Sequence, residues 1–178
     1  MAATLAPPPT NSRMISDEER DEERDEERDD AMGLLGFATD DLEARQPPAC
    51  IHGGADHIVF AFRDRARLAA MAYDLDAGPG MMRRHSLVTI MLVHIEDDRS
   101  FSVRDAFASG GILEDPATGA AAAAFAGYLR DLGWPDDGQF TIRQGEDMGA
   151  SSLIQIYLSD EIGSSVRVSG DARLMQSI

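Results

Sequence analysis

The sequence predicts a mixed α+β fold in which mainly antiparallel strands surround a single buried helix. Short apolar runs separated by Gly, Asp and Ser turns recur along the chain, as in antiparallel sheets. They do not alternate regularly with long helical segments, as they would in a doubly wound parallel sheet. Residues 116–132 read as a helix that is apolar nearly all round and carries five consecutive alanines. Because alanine side chains are small, such a helix is thin, and strand backbone can approach it closely inside a rolled sheet.

The N-terminal part of the chain differs in composition from the rest. Residues 7–9 are three prolines, which favour extended backbone, and residues 17–30 read DEERDEERDEERDD. That repeat contains eleven acidic residues and three arginines, so it supplies half of the net charge of −16. With no apolar stripe to pack, it is either a solvated helical extension or disordered. We therefore expect residues 1–30 to be a linker and acidic repeat, and residues 31–178 to form one domain.

The composition also excludes some classes of function. No basic patch interleaved with aromatic residues is present, so nucleic acid is not an expected partner. The N-terminus lacks the features of a signal peptide, and no apolar run is long enough to span a bilayer. We expect a cytoplasmic protein without a membrane partner.

The elements of the predicted domain follow in order from local patterns. Residues 57–62 form an apolar run typical of a strand, and residues 86–95 are the strongest strand candidate. A polar turn after residue 95 makes residues 101–107 the hairpin partner of that strand. Short helices are predicted within residues 31–45 and 63–76, and further strands within residues 140–145, 152–158 and 166–170.

The start of the central helix is the candidate functional site. Asp115 has the residue type of an N-cap, and Pro116 suits the first turn of a helix because its missing N–H would have no partner there. The N-terminus of such a helix presents the N–H groups of Thr118, Gly119 and Ala120 together with the positive end of the helix dipole. These groups would suit a carboxylate. Spacing alone leaves open that Asp115 simply caps the helix and that the alanines simply pack.

Other chemically active residues give weaker signals. Cys50 has no second thiol to pair with, and the four histidines lie at no metal-binding spacing, so we do not expect a metal. The glycine pairs do not form a dinucleotide-binding or phosphate-binding fingerprint, so we do not expect a cofactor either. His57 and His94 are interpreted as ordinary strand residues. Glu114 adjoins Asp115, but adjacent residues at a helix entry usually point apart, so we do not expect a coupled acid pair.

Three segments of the sequence resemble one known family. Residues 114–129 (EDPATGAAAAAFAGYL), 144–152 (QGEDMGASS) and 166–175 (VRVSGDARLM) are similar to the PhzF-like isomerases of phenazine biosynthesis, which share the fold of diaminopimelate epimerase. The resemblance implies two lobes, each a β-roll around a central helix, with the active site between them. This sequence resembles the second lobe only. It departs from the family pattern at Ala120, where serine is usual, at Gly53, where threonine is usual, and at residues 150–151, where Arg-Pro is usual.

The resemblance implies cofactor-independent proton transfer on a small carboxylate-bearing substrate similar to a dihydro-hydroxyanthranilate. Asp115 would be the active-site acid, and Thr118, Gly119 and Ala120 would bind the substrate. Racemases of the same fold use a pair of thiols, but the matching position here has no sulfur, which favours carboxylate chemistry. The glutamate and the Gly-His element of the family's first lobe have no counterpart. The alternatives are therefore a lobe completed by a first-lobe chain or a second copy, and a non-catalytic remnant or dimerising binding module.

Overall fold

A computed structural model of the chain describes residues 2–5, 8–15, 22–134, 138–159, 161–162 and 164–171. Within these residues the α-helices are α1 (Glu22–Leu35), α2 (Arg65–Ala69), α3 (Gly78–Arg84) and α4 (Gly119–Asp131). The strands are β1 (Ala2–Leu5), β2 (Asn11–Met14), β3 (Ala49–His52), β4 (Asp56–Phe62), β5 (Thr89–Asp97), β6 (Ser100–Ala106), β7 (Glu114–Asp115), β8 (Gln139–Gln144), β9 (Ser152–Tyr157) and β10 (Arg167–Asp171).

All of these strands belong to one curled sheet. Its order is β1-β10-β9-β8-β6-β5-β4-β3-β2, and the short β7 pairs with β6 beside this path. Most neighbours are antiparallel, including the predicted β5–β6 hairpin, in which Val93 lies opposite Val103. Two pairs, β4 with β5 and β6 with β8, are parallel, so the sheet is mixed. Each parallel pair needs a crossover connection, which α2 and α3 provide in one case and α4 in the other.

Helix α4 lies in the hollow of the sheet, as the sequence predicts. Its side chains from Ala121 to Leu129 are buried on every side. Gly53, in the turn between β3 and β4, shows how close the sheet comes: a Cβ added there would lie 2.9 Å from the backbone nitrogen of Ala124. Aromatic rings fill the space that the alanines leave, with Phe101 and Phe125 in an edge-to-face contact at 5.1 Å between ring centroids. The α+β fold, a β-roll around a central helix, is thereby confirmed.

The beginning of α4 differs from the prediction. The helix starts at Gly119 and not at residue 116, and Thr118 occupies the N-cap position assigned to Asp115. The reason is that Glu114 and Asp115 pair with β6, Asp115 lying opposite Asp105, which holds their backbone extended. Gly133, just after the helix, has a φ of +66°, the left-handed conformation typical of a helix end.

A second apolar core lies between the outer face of the sheet and helices α1, α2 and α3. Residues 1–30, expected to be a linker and acidic repeat, contribute β1, β2 and residues 22–30 of α1; residues 17–21 of the repeat lie outside the described residues. Helix α1 buries Ala31, Met32 and Leu35. Among the described residues, no helix is both long enough and apolar enough to cross a membrane.

Candidate active site

The turn between β7 and α4, residues 115–118, carries the predicted acid and is here called the acid turn. The half-buried Asp115 folds its side chain back over this turn. Its Oδ1 accepts a hydrogen bond from the backbone N–H of Ala117 at 3.4 Å, and its Oδ2 accepts one from the hydroxyl of Thr118 at 2.8 Å. The carboxylate therefore has a fixed orientation at the entry to the central helix.

Gln144, at the end of β8, holds the acid turn from inside the protein. Its Nε2 donates to the carbonyl oxygen of Asp115 at 2.7 Å and to the hydroxyl of Thr118 at 3.0 Å. Its Oε1 accepts from the backbone N–H of Thr118 at 3.2 Å. The Thr118 N–H, predicted to be free for a substrate, is thus already occupied, because Gln144 is fully buried and needs an internal donor.

The backbone N–H groups of Gly119 and Ala120 differ from that of Thr118. Among the described residues, no acceptor bonds their backbone N–H groups, and both residues are half-buried. A Cβ placed on Gly119 would meet nothing within 4 Å, so open space adjoins the first turn of the helix. Two unpaired donors at the positive end of a 13-residue helix form a favourable place for a carboxylate.

A cavity of about 640 Å³ adjoins the acid turn. It is lined by Pro116 and Ala117 of the turn, by Gly170, and by residues 149–154 after β8. These residues are small, hydroxylated or apolar, and none is ionisable. The cavity has the size of a small-molecule site, with Asp115 and the helix N-terminus beside it and not among its lining residues.

Asp105 is a second carboxyl group that the sequence analysis did not identify. It lies on β6 opposite Asp115, is fully buried, and neither of its oxygens has a well-formed hydrogen bond among the described residues. Burial raises its pKa to about 7, the hydroxyls of Thr89 and Thr118 partly oppose this rise, and the charges of Asp115 and Glu114 add to it. The alternation of side chains along β6 could have identified Asp105, because it lies on the same face as the buried Phe101 and Val103.

His57 lies on the same inner face of the sheet. Its Nδ1 is 2.8 Å from the hydroxyl of Thr89, its neighbour across the parallel pair β4–β5, and its Nε2 has no partner among the described residues. Burial lowers the pKa of His57 to about 4, so the ring stays neutral at ordinary pH. This buried histidine is a strand residue, as interpreted from the sequence, and it forms part of a polar row with Thr89 and Asp105.

Glu114 points away from Asp115, as expected for adjacent residues. Its carboxylate forms a buried ion pair with Arg104, whose Nη2 lies 2.6 Å from Oε2. The carboxyl group placed opposite Asp115 across the strand pair is that of Asp105.

Metal or thiol chemistry finds no support in the described residues. No group of three or more His, Cys, Asp or Glu side chains among them could hold a metal ion. Burial and the neighbouring carboxylate of Glu27 raise the pKa of Cys50 to about 12, and its Sγ donates to Glu27 at 3.2 Å. The thiol is therefore protonated and a poor nucleophile.

Comparison with known proteins adds the family to this geometry. The sequence profile of the PhzC-PhzF family, described as "Phenazine biosynthesis-like protein", matches residues 11–177. The chain belongs to this PhzF-like family. A curated relative, an uncharacterised isomerase from Mesorhizobium japonicum, is 40% identical over 82 residues, which are 44% of this chain and 27% of that protein.

Solved structures show the same PhzF-like fold. A PhzF-family phenazine biosynthesis protein from Bacillus anthracis matches with a TM-score of 0.74 at 14% identity, over 95% of this chain and 57% of that one. A predicted epimerase from Pseudomonas aeruginosa matches with a TM-score of 0.70 at 19% identity, over 99% of this chain and 59% of that one. The chain thus spans less than two thirds of the length of these relatives.

Proposed function

We propose that this chain provides one wall of an isomerase site that moves a proton within a small cyclic carboxylate, such as a dihydro-hydroxyanthranilate, without a cofactor. The observation that carries this proposal is the placement of Asp115 beside the unpaired N–H groups of Gly119 and Ala120 and next to a cavity. The isomerase and epimerase names of its relatives support the reaction class.

Each residue has a role in this proposal. The N–H groups of Gly119 and Ala120 bind the substrate carboxylate, assisted by the helix dipole. Asp115 exchanges the proton or receives a hydrogen bond from the substrate, while Thr118 and Gln144 keep it oriented. Thr118 therefore acts through Asp115, since its own N–H is bound to Gln144. General acid–base catalysis of this kind contributes about 10²- to 10⁴-fold to a rate.

The opposite wall and a second proton-transfer group would come from a first-lobe chain or a second copy of this chain. Apolar side chains exposed near the acid turn and the cavity support this part of the proposal. Leu113 and Leu153 are 51% and 50% exposed, and Ile112 and Met148 are 45% and 43% exposed. Such side chains, when contiguous, are typical of surfaces that another protein covers.

The same observation favours a second candidate function, a dimerising binding module without catalysis. Ala120 adds to it, because the family's usual serine hydroxyl is missing at the helix start. Light scattering on the purified chain tests whether two copies associate. A stable monomer at high concentration would contradict the dimerising module, and also an isomerase site completed by a second copy.

Proton exchange in heavy water tests the enzymatic proposal. The purified chain is incubated in D₂O with a dihydro-hydroxyanthranilate, and deuterium incorporation into carbon is followed by ¹H NMR. We expect Asp115→Asn to slow exchange by about 10²-fold or more, whereas Asp40→Asn, at an exposed aspartate in the turn after α1, leaves it unchanged. Equal rates for Asp115→Asn and the unmodified chain would remove Asp115 from the reaction. No exchange above background in any sample would favour the binding module.

A further inference from the structure

The polar row beneath the acid turn is not used by the proposed reaction. Asp105 lies under the turn at the end of the row and is enclosed completely. The hydroxyls of Thr89 and Thr118 lie against its carboxyl group, but neither forms a well-shaped hydrogen bond to it. A buried carboxylate without donors is costly, so the bonding capacity of these hydroxyls decides what state Asp105 can hold.

The hydroxyl of Thr118 has no hydrogen left for Asp105. It donates its one hydrogen to Oδ2 of Asp115 at 2.8 Å and accepts from Nε2 of Gln144 at 3.0 Å. One acceptor position remains on that oxygen. Asp105 can therefore bond to Thr118 only as a donor, which requires that Asp105 carry a proton.

The hydroxyl of Thr89 offers Asp105 little more. It lies 2.8 Å from Nδ1 of His57, and it can donate to Asp105 only when that nitrogen carries the proton of the ring. In that arrangement His57, at the other end of the polar row, is still neutral. It would therefore provide no positive charge to compensate an ionised Asp105.

The charged groups on the surrounding elements also favour the neutral acid. From β7, Asp115 and Glu114 both act on Asp105 as negative charges. From β8, Gln144 contributes an amide without charge, and from β4 His57 is neutral. Arg104 precedes Asp105 on β6 and is committed to Glu114 on the opposite face. Among the described groups around Asp105, the N-terminus of α4 is the source of positive potential, and this is the potential that a bound carboxylate would use.

We propose that Asp105 is a positioning residue that holds a proton in the resting protein and donates it in a hydrogen bond to the hydroxyl of Thr118. This bond helps to align Asp115. Because Asp105 is then uncharged, the helix N-terminus stays free to bind a carboxylate. This inference rests on the proposed function for the carboxylate and adds a control of its binding. When Asp105 ionises, a buried negative charge appears under the acid turn and opposes the bound anion. The pKa of about 7 places this change in an accessible pH range.

The ionisation of Asp105 is measured first, without any ligand. The chain is labelled with ¹³C, and the carboxyl resonance of Asp105, assigned through its bonds, is followed from pH 4 to pH 9. We expect it to titrate near neutral pH. A midpoint near that of an ordinary aspartate, about 4, would overturn the inference. This measurement uses the unmodified chain, so it does not depend on whether a variant folds.

Anion binding is measured next, with benzoate as the probe and benzamide as its uncharged counterpart. We expect benzoate affinity to fall between pH 6 and pH 8 by up to about tenfold, the largest change that one group with a pKa of about 7 can cause over this range, while benzamide shows no such change. Asp105→Asn keeps the shape of the side chain but cannot ionise, so its benzoate affinity should lose the part of the pH dependence that Asp105 causes. Any pH dependence due to histidines survives in Asp105→Asn and is thereby subtracted.

The two measurements separate the failure of each proposal. An identical pH dependence of benzoate binding in the unmodified chain and in Asp105→Asn would overturn the role of Asp105, even if benzoate binds. Absence of benzoate binding at every pH would instead count against the anion site of the proposed function. In that case the carboxyl titration alone decides whether Asp105 holds its proton.

Discussion

Replacing Glu114 by glutamine tests the ion pair that holds β7, and with it the acid turn, against the rest of the sheet. Arg104 Nε lies 3.2 and 3.1 Å from the two carboxylate oxygens of Glu114, and Nη2 lies 2.6 Å from Oε2. The side chains of Arg104 and Glu114 are only 11% and 4% exposed. Arg104 also donates through Nη1 to the carbonyl oxygens of Ala69 at 2.8 Å and Met71 at 3.3 Å. The pair therefore joins β6, β7 and the end of α2.

The expected loss follows from this burial. Glutamine keeps one acceptor oxygen but removes the hydrogen-bonded counter-charge of Arg104, whose other carboxylate partner, Asp147, lies farther away at 4.0 Å from Nε. Breaking a buried pair in this way costs about 3–5 kcal/mol. With a urea m-value of about 2 kcal/mol per molar, the unfolding midpoint should fall by about 1.5–2.5 M. Urea unfolding followed by circular dichroism measures this shift. Glu161→Gln, at an exposed position, is the control and should change stability by less than about 0.5 kcal/mol.

A second variant decides whether the loss comes from the uncompensated charge. Replacing both partners, Arg104→Met with Glu114→Leu, removes the buried charges together and should recover much of the stability lost in Glu114→Gln. A loss below about 1 kcal/mol in Glu114→Gln would show that the pair contributes little. It would then no longer explain how the two-residue strand β7 keeps its position.

Two further predictions concern the buried His57 on the inner face of the sheet and the packing around helix α4. The pKa of His57 is about 4 in the folded protein against about 6.5 in the unfolded chain, so its effect on stability is absent above pH 6.5 and grows as pH falls toward 4, reaching a loss of about 3 kcal/mol. Urea unfolding at pH 7 and pH 4.5 should show most of this loss, and His57→Gln should lack the part that His57 causes. Equal acid sensitivity of the two proteins would contradict the assignment. Gly127→Ala should lower stability by about 1–3 kcal/mol, because its Cβ would overlap the side chain of Thr10, whereas Gly119→Ala meets open space and should not. Equal melting temperatures for the two alanine variants would contradict this packing.

Local patterns were sufficient to predict the hairpin and the buried helix. The β5–β6 pair follows from two apolar runs around a polar turn, and the position of α4 follows from its alanines. The two parallel pairs were not predicted, because they depend on which strands meet after a crossover. The start of α4 was misplaced for a related reason. Asp115 has the residue type of a cap, but its backbone pairs with Asp105, ten residues earlier in the chain.

The candidate site shows the same division between local and distant information. Within the part of the chain that the structure describes, the N–H groups of Gly119 and Ala120 are unpaired, a property that depends on their place at the start of a helix. The N–H of Thr118 is bound by Gln144, which lies 26 residues away in sequence, and nothing near Thr118 indicates that contact. Asp105 could have been found, because an acid on the inward face of an apolar strand departs from the strand's own pattern.

The choice of an amide to hold the acid turn has a consequence for the electrostatics of the site. Gln144 supplies two donor contacts and one acceptor contact to the turn without adding charge. An arginine or lysine there would pair with Asp115 and stabilise its carboxylate against accepting a substrate proton, and a glutamate would place another negative charge under the helix N-terminus. Since Arg104 balances Glu114 on the outer face, the potential at the helix entry depends chiefly on the helix dipole, on Asp115 and on the protonation of Asp105. A change of one proton on Asp105 is then large relative to the other local charges, which is why a buried residue with no access to substrate can influence what binds there.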